Sequence, residues 1–511
     1  MKMPKFVMLA VGRLLAITVA ACSATAASPA LPLLHPIFDS HMVFPREVEA
    51  PVWGWAQPGE MVTLTVNDPK SRLLQTKSSK AGPDGRWEVL AGPFPASDKG
   101  ISLVVSRDGQ PPLTLTDVLV GDVWLCSGQS NMARSLAFHD GIPDVPNQDA
   151  EIADTIRYPL IRQYYVGNVA TAEPQQIPTS LVTDETGSSG PWLVNNPANA
   201  AKPSRYTAVG YFFGRELHRT LKLPIGIVQM SWGGTSIEAW IDSTTLSQNT
   251  AAPRTGGAIY NGKVATLVPF KFKGVVWYQG ENNADHPEQY RTLLPLLFKS
   301  WRQGFQQPAL PFIVVQLPNY QNDNWPILRD AQLNVVKNDS RSRLVVTIDL
   351  GDAKQLHPGD KQDVGIRSAR AALDLAYGQK LVASGPLISK VVSKGNTVRC
   401  EFTQVGAGLM VGKREVPPTK PGVPTSEVVR GSLTGFEIAG ADGKFHPAKA
   451  VISGRTTVDV FCSEVATPVA VRYAWAGAPL CNLYNRIVDA RGNSADGLPA
   501  SPFSISTSSN P

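Results

Sequence analysis

Charge is scarce in this chain: Asp, Glu, Lys and Arg together make up 18% of 511 residues, against 43% hydrophobic letters. That balance excludes a disordered or polyionic chain and leaves one long enough to bury large cores, in two or three domains. No basic run occurs. The formal net charge of +6 falls to +3 once Lys2, Lys5 and Arg13 of the leader are set aside, which argues against a nucleic-acid partner. Cysteine is equally sparse, at positions 22, 126, 400, 462 and 481, with no CxxC pair. The seven histidines include neither His-x-x-x-His nor His-Glu-x-x-His, so no metal site and no cofactor are expected. A disulfide among Cys400, Cys462 and Cys481 stays open for an oxidising compartment, and no pairing can be assigned. After the leader, no stretch reaches the roughly 18 apolar residues that cross a bilayer, so no transmembrane span is expected in the mature chain.

What is present begins with an export signal. Residues 1–26 combine three basic residues, no acids and the apolar run Leu14 to Ala21. Two processing sites compete: Ala24-Thr25-Ala26 suits an ordinary signal peptidase, whereas Val19-Ala20-Ala21-Cys22 resembles a lipobox that would place a lipid anchor on Cys22. The body is therefore expected in the periplasm or outside the cell, as an outer-membrane lipoprotein if Cys22 is the processed residue. Residues 30–118 alternate apolar and polar letters between Gly/Pro turns and read as a β-sandwich. Residues 119–380 alternate short apolar runs with helical segments, the pattern of a parallel sheet covered on both faces. Within them, 136–204 reads as long loops. Residues 381–505 return to strands and turns.

Four apolar runs stop abruptly on polar clusters. "VWLCS" runs into Gly128-Gln129-Ser130-Asn131, "IGIVQMS" into Trp232-Gly233-Gly234-Thr235-Ser236, and "FKGVVWY" into Gln279-Gly280-Glu281-Asn282-Asn283. "LVVTIDL" leads to Gly351-Asp352 and then Leu356-His357-Pro358. The carboxyl ends of parallel strands share one edge, so these clusters should converge in one crevice. A serine hydroxyl needs a positioned base, and His357 supplies an imidazole. Ser130 with His357 is then an attacking pair, while the backbone of Gly233-Gly234 and the amide of Gln279 offer donors for an oxyanion. Each motif alone reads as a turn or a helix cap; their joint placement points to acyl transfer. Asp285-His286 is the rival base and Ser127 the rival nucleophile, the latter still inside its strand. Trp192, Trp232 and Trp240 read equally well as sugar-stacking or core side chains. Cys126, in the same strand, reads as a small core residue.

"LCSGQSNM", "SWGGTSIEAW", "VVWYQGENNA" and "DLGDAKQLHPGDKQDVGIR" together resemble the sialate O-acetylesterase family, a branch of the SGNH/GDSL hydrolases, and the resemblance spans nearly all of the mature chain. It implies an SGNH-type, flavodoxin-like α/β fold: a parallel sheet with helices on both faces, flanked by N- and C-terminal β-sandwich-like regions. It implies a secreted serine carboxylic ester hydrolase that removes acetyl groups from sugars through an acetyl-serine intermediate, its substrate an O-acetylated sialic acid or plant polysaccharide. Ser130 would be the nucleophile and His357 the base. The Ser130 and Gly234 N–H groups with Gln279 would form the oxyanion hole, and Asn131, Glu281 and Asn283 would support the loops or touch substrate. Many SGNH enzymes carry an aspartate three residues before the histidine. Lys354 stands there instead, so the third triad member is Asp352, then Asp349, or a backbone carbonyl. That gap also admits a second class, a cell-surface carbohydrate-binding protein with a degenerate esterase domain. A peptidase or lipase is disfavoured, because the serine turn lacks the closing glycine of Gly-x-Ser-x-Gly.

Overall fold

The apolar runs become, in a computed structural model of the chain, the strands of one central sheet. The structure describes residues 31–137, 145–178, 189–202, 205–250, 252–253, 256–412, 431–488, 494–495 and 497–509; the leader, Cys22 and His139 lie outside them. Six strands are parallel: β1 (Leu113–Gly128), β2 (Ile161–Tyr165), β3 (Ile225–Ser231), β4 (Gly274–Tyr278), β5 (Phe312–Val315) and β6 (Ser342–Val345). Their spatial order is β6-β5-β4-β1-β3-β2, and Leu193–Val194 pairs antiparallel on β2, which makes the sheet mixed. β1 therefore lies between β3 and β4. The chain builds one side of the sheet and then crosses to the other, and the carboxyl ends at such a switch point are where open α/β sheets bind their ligands.

Helices cover both faces of this sheet. Trp124 of β1 packs edge-on against Phe213 of α2 (Ala208–Leu221) and donates its indole N–H to Tyr377 of α5 (Lys361–Tyr377). Trp277 of β4 is in register with Ser127, an odd number of residues along β1 from Trp124, so its ring emerges on the opposite face. There it meets Trp301 of α3 (Tyr290–Gly304), beside α4 (Trp325–Lys337). The strands are buried on both faces, which is why they read as continuous apolar runs rather than alternating ones.

Two differences from the sequence reading have physical reasons. The stretch 136–204, expected as loops, contributes strand β2 and the short helix Gln148–Asp154. The polar letters of Arg162 and Gln163 hide β2 in the sequence, although all five of its residues are buried. The boundary expected at 118/119 falls inside β1. The first half of that strand pairs with Ser97–Arg107 of the N-terminal β layer and its second half with β3 and β4, so one strand carries the chain into the central sheet without a break.

The two larger sheets of the C-terminal β region are built on the antiparallel pairs Leu387–Lys394 with Thr397–Thr403 and Phe436–Ala439 with Ala470–Tyr473. Buried Arg329 of α4 anchors the region by donating to the carbonyls of Ala476 and Gly477. No disulfide joins Cys400, Cys462 and Cys481. Burial pushes the Cys400 thiol up to about 12, and buried Cys126 is raised further, which leaves both inert. Among the described residues no helix is long and apolar enough to cross a membrane.

Candidate active site

β1 ends where only glycine fits. Gly128 has φ +136°, and a Cβ there would lie 2.0 Å from the Tyr278 carbonyl oxygen. That close approach lets the Gln129 N–H bond the Tyr278 carbonyl at 3.0 Å, and the Gln129 Oε1 accepts the N–H groups of Gly280 and Asn282. The turn after β1 is thereby fastened to the turn after β4. Ser130 opens the single helical turn α1 (Ser130–Ala133), half-buried, with its Oγ 2.8 Å from Nε2 of His357. His357 comes from the loop between β6 and α5. The rival residues stand elsewhere: Ser127 is buried and donates its hydroxyl to the Met230 carbonyl, and His286 is exposed.

A buried polar network holds the serine and histidine loops together. The Asn131 amide donates to Glu281 Oε1 at 2.5 Å and to the Leu356 carbonyl at 3.1 Å. Its Oδ1 accepts from Nζ of Lys361 at 2.7 Å, and the same ammonium donates to the Pro358 carbonyl at 2.6 Å. His357 is thus gripped from both flanks. Burial raises the Glu281 carboxyl above its ordinary range, while the Asn131 bond and the Lys361 charge pull it back down. Asn131 and Glu281 are loop supports here.

The remaining expected residues take other places. Both amide hydrogens of fully buried Gln279 are used, one on the Thr235 carbonyl at 3.1 Å and one on Asn283 Oδ1 at 2.7 Å, while its Oε1 accepts from Tyr290. This corrects its assignment as an oxyanion donor: a two-hydrogen amide so engaged has none left. Asn283 also accepts the Ile237 N–H and donates to Glu238, so this pair braces the loop 232–236 from below. Gly233 and Gly234 are exposed beside the nucleophile. A Cβ on Gly233 would lie 3.4 Å from that of Ser130, and Gly234, at φ +69°, has open space where its Cβ would be. Trp192 and Trp240 are buried and bonded to Ile37 and Thr235, hence core; Trp232 is half-buried.

The group at Nδ1 of His357 is Arg134, whose Nη2 lies 2.7 Å away. Asp352 is not at Nδ1 in this structure but closes a tight turn of its own: its Oδ1 accepts the Lys354 N–H at 2.7 Å and its backbone bridges to Gln355. Asp349 is held by both arms of Arg367. A guanidinium only donates, so Nδ1 accepts, and the hydrogen-bond network puts the imidazole proton on Nε2, facing Ser130. Arg134 and Lys361 were missed in the sequence. Arg134 stands four residues past Ser130, and the single helical turn between them returns it to the same side; Lys361 opens the helix that follows the His357 loop.

Residues 120–374 match the model of the family described as carbohydrate esterase, sialic acid-specific acetylesterase. The structure is similar to that of a carbohydrate acetylesterase from Xanthomonas citri: 34% identity, a TM-score of 0.78, covering 92% of this chain and 99% of that one. Curated relatives include the sialate O-acetylesterases of Mus musculus, 29% identical over 91% of this chain and 92% of theirs, and Homo sapiens, 28% identical over 91% of each. With its strand-end serine and histidine in contact and these similarities running nearly end to end, the chain belongs to the sialic acid-specific acetylesterase family of carbohydrate esterases and is a carboxylic ester hydrolase.

Proposed function

We propose that the chain is an exported carbohydrate O-acetylesterase with an SGNH-type site, which hydrolyses acetyl esters of sugars through an acetyl-serine intermediate on Ser130. The observation that carries this reading is the 2.8 Å contact between Ser130 Oγ and His357 Nε2, beside the exposed backbone of Gly233-Gly234. Ser130 Oγ adds to the acetyl carbonyl carbon as its proton passes to Nε2. The carbonyl electron pair moves onto oxygen, facing the N–H groups of Ser130 and Gly234. Collapse expels the sugar alkoxide, which takes the proton from Nε2. Water, deprotonated by the same nitrogen, then releases acetate. Export is supported by the composition of residues 1–26.

In this mechanism Nε2 must begin as an acceptor, which requires the imidazole proton on Nδ1, facing an oxygen. The guanidinium of Arg134 opposes that tautomer, so turnover requires it to give up its contact with Nδ1. Arg134→Met is therefore expected to raise kcat/KM toward p-nitrophenyl acetate, by up to about tenfold if the resting tautomer dominates. A tenfold fall would instead make Arg134 a partner of the imidazole in turnover.

The substrate is tested by acetate release from an O-acetylated sialic acid and from an acetylated plant polysaccharide digest, with wild type and Ser130→Ala in parallel. Ser130-dependent release from either establishes the esterase, and the faster substrate names the sugar class. No release from either, by protein that still binds the sugars, would favour a carbohydrate-binding protein.

A further inference from the structure

One ionisable side chain near the site has no part in this mechanism. Lys263 lies in the wide π-helical turn Tyr260–Val264, is fully buried, and reaches the end of β3. Its Nζ donates to Asn168 Oδ1 at 2.6 Å and to the Ser231 carbonyl at 3.1 Å. Three aromatic rings surround the ammonium, those of Tyr165, Trp232 and Trp240, with centroids 5.7–5.9 Å from it. Rings at this range attract a cation through their negative faces. Burial pushes the Lys263 amine well below the ordinary lysine range, and in either protonation state its N–H groups reach Asn168 and the Ser231 carbonyl from inside the cage, a polar group buried with its hydrogen bonds made.

The role of Lys263 follows from what its partners do. Ser231 is the last residue of β3, and the loop 232–236 after it carries the glycines beside Ser130. That loop is held at each step. The Trp232 N–H bonds the Gly128 carbonyl at 3.0 Å, the Thr235 hydroxyl bonds the Trp232 carbonyl at 2.7 Å, and the Trp240 indole bonds Thr235 Oγ1 at 3.0 Å. Gln279 takes the Thr235 carbonyl from one side. Lys263 takes the Ser231 carbonyl from the other, and two of its three cage rings, Trp232 and Trp240, belong to the same bonded set.

We propose that Lys263 is a positioning residue of the oxyanion site: its bond to the Ser231 carbonyl, and its cage on Trp232 and Trp240, fix the loop whose Gly234 N–H meets the developing negative oxygen. The proposal rests on Ser130 being the nucleophile. A donor placed in advance stabilises the transition state without strengthening ground-state binding, so its loss lowers kcat and leaves KM nearly unchanged.

The test compares wild type, Lys263→Met and Ser130→Ala on p-nitrophenyl acetate and on methylboronic acid, which adds to a serine Oγ as a tetrahedral anion. Ser130→Ala removes both activities if the nucleophile is right, and persistence of either there would overturn that reading on its own. With that control in hand, Lys263→Met is expected to lower kcat by about 10- to 100-fold and to weaken boronate inhibition similarly, with KM within threefold. A purely structural role would lower thermal stability and leave kcat and boronate affinity within twofold, which would overturn the proposal. If Lys263→Met does not fold, Lys263→Gln, which keeps a donor for the Ser231 carbonyl, carries the same test. The expected losses are then smaller but still above twofold.

Discussion

Ser130→Ala is expected to lower acetate release by about ten-thousandfold to a millionfold, the scale on which serine hydrolases lose turnover with their nucleophile. The substitution deletes one oxygen and disturbs little else. The fixtures of the turn are backbone and neighbouring side chains: the Gln129 N–H on Tyr278, the Asn131 amide on Glu281, and the Arg134 N–H on the Ser130 carbonyl. All of these survive the change to alanine. The variant should therefore melt within about a degree of wild type by circular dichroism, because a half-buried hydroxyl contributes little net stability once its partner can turn to water. Activity within tenfold of wild type would move the nucleophile elsewhere. Ser127→Ala gives the contrast, since its hydroxyl is sealed under the sheet on the Met230 carbonyl and its loss should leave turnover intact.

The strands and the serine–histidine contact were legible because they depend on short-range patterns. An apolar run that ends on glycine and small polar residues marks both the strand and the edge it delivers to, and parallel topology brings the edges together. What stayed hidden depends on which polar group each side chain meets, near or far along the chain. Gln279 reads as an available donor until Thr235 and Asn283 are seen to take both of its hydrogens. Asp352 reads as the orienting carboxylate until its own turn absorbs it and Arg134 arrives at Nδ1. Strand β2 was lost because Arg162 and Gln163 interrupt its run, although the fold buries both. Sequence periodicity registers what a side chain avoids, namely water, far better than which polar group it will meet.

Lys361 illustrates the same point through stability, and Lys361→Met should cost about 3–5 kcal/mol, the scale for removing one member of a buried charged network while the other stays behind. The ammonium is fully buried, and the Glu281 carboxylate it offsets is buried too, with no partner for Oε2 among the described residues. Asn131 relays between them, with its Oδ1 toward Lys361 and its amide toward Glu281. Without the lysine, Glu281 faces burial with no positive charge beside it, held by the Asn131 amide and backbone N–H groups. A carboxyl already raised by burial binds its proton more tightly folded than unfolded, so its ionisation works against the fold and the penalty grows as pH rises. The destabilisation of Lys361→Met should accordingly be greater at pH 8 than at pH 5 in thermal melts. Lys361→Met with Glu281→Gln should recover part of it, because that change removes the orphaned charge. Turnover should not return with stability. Lys361 also holds the Pro358 carbonyl, one residue past the base, and a displacement of His357 by about 1 Å is enough to lose roughly a hundredfold in rate. A double variant that regains both stability and rate would mean that the network serves folding alone; one that regains stability and stays slow would make it the clamp that sets the serine–histidine distance.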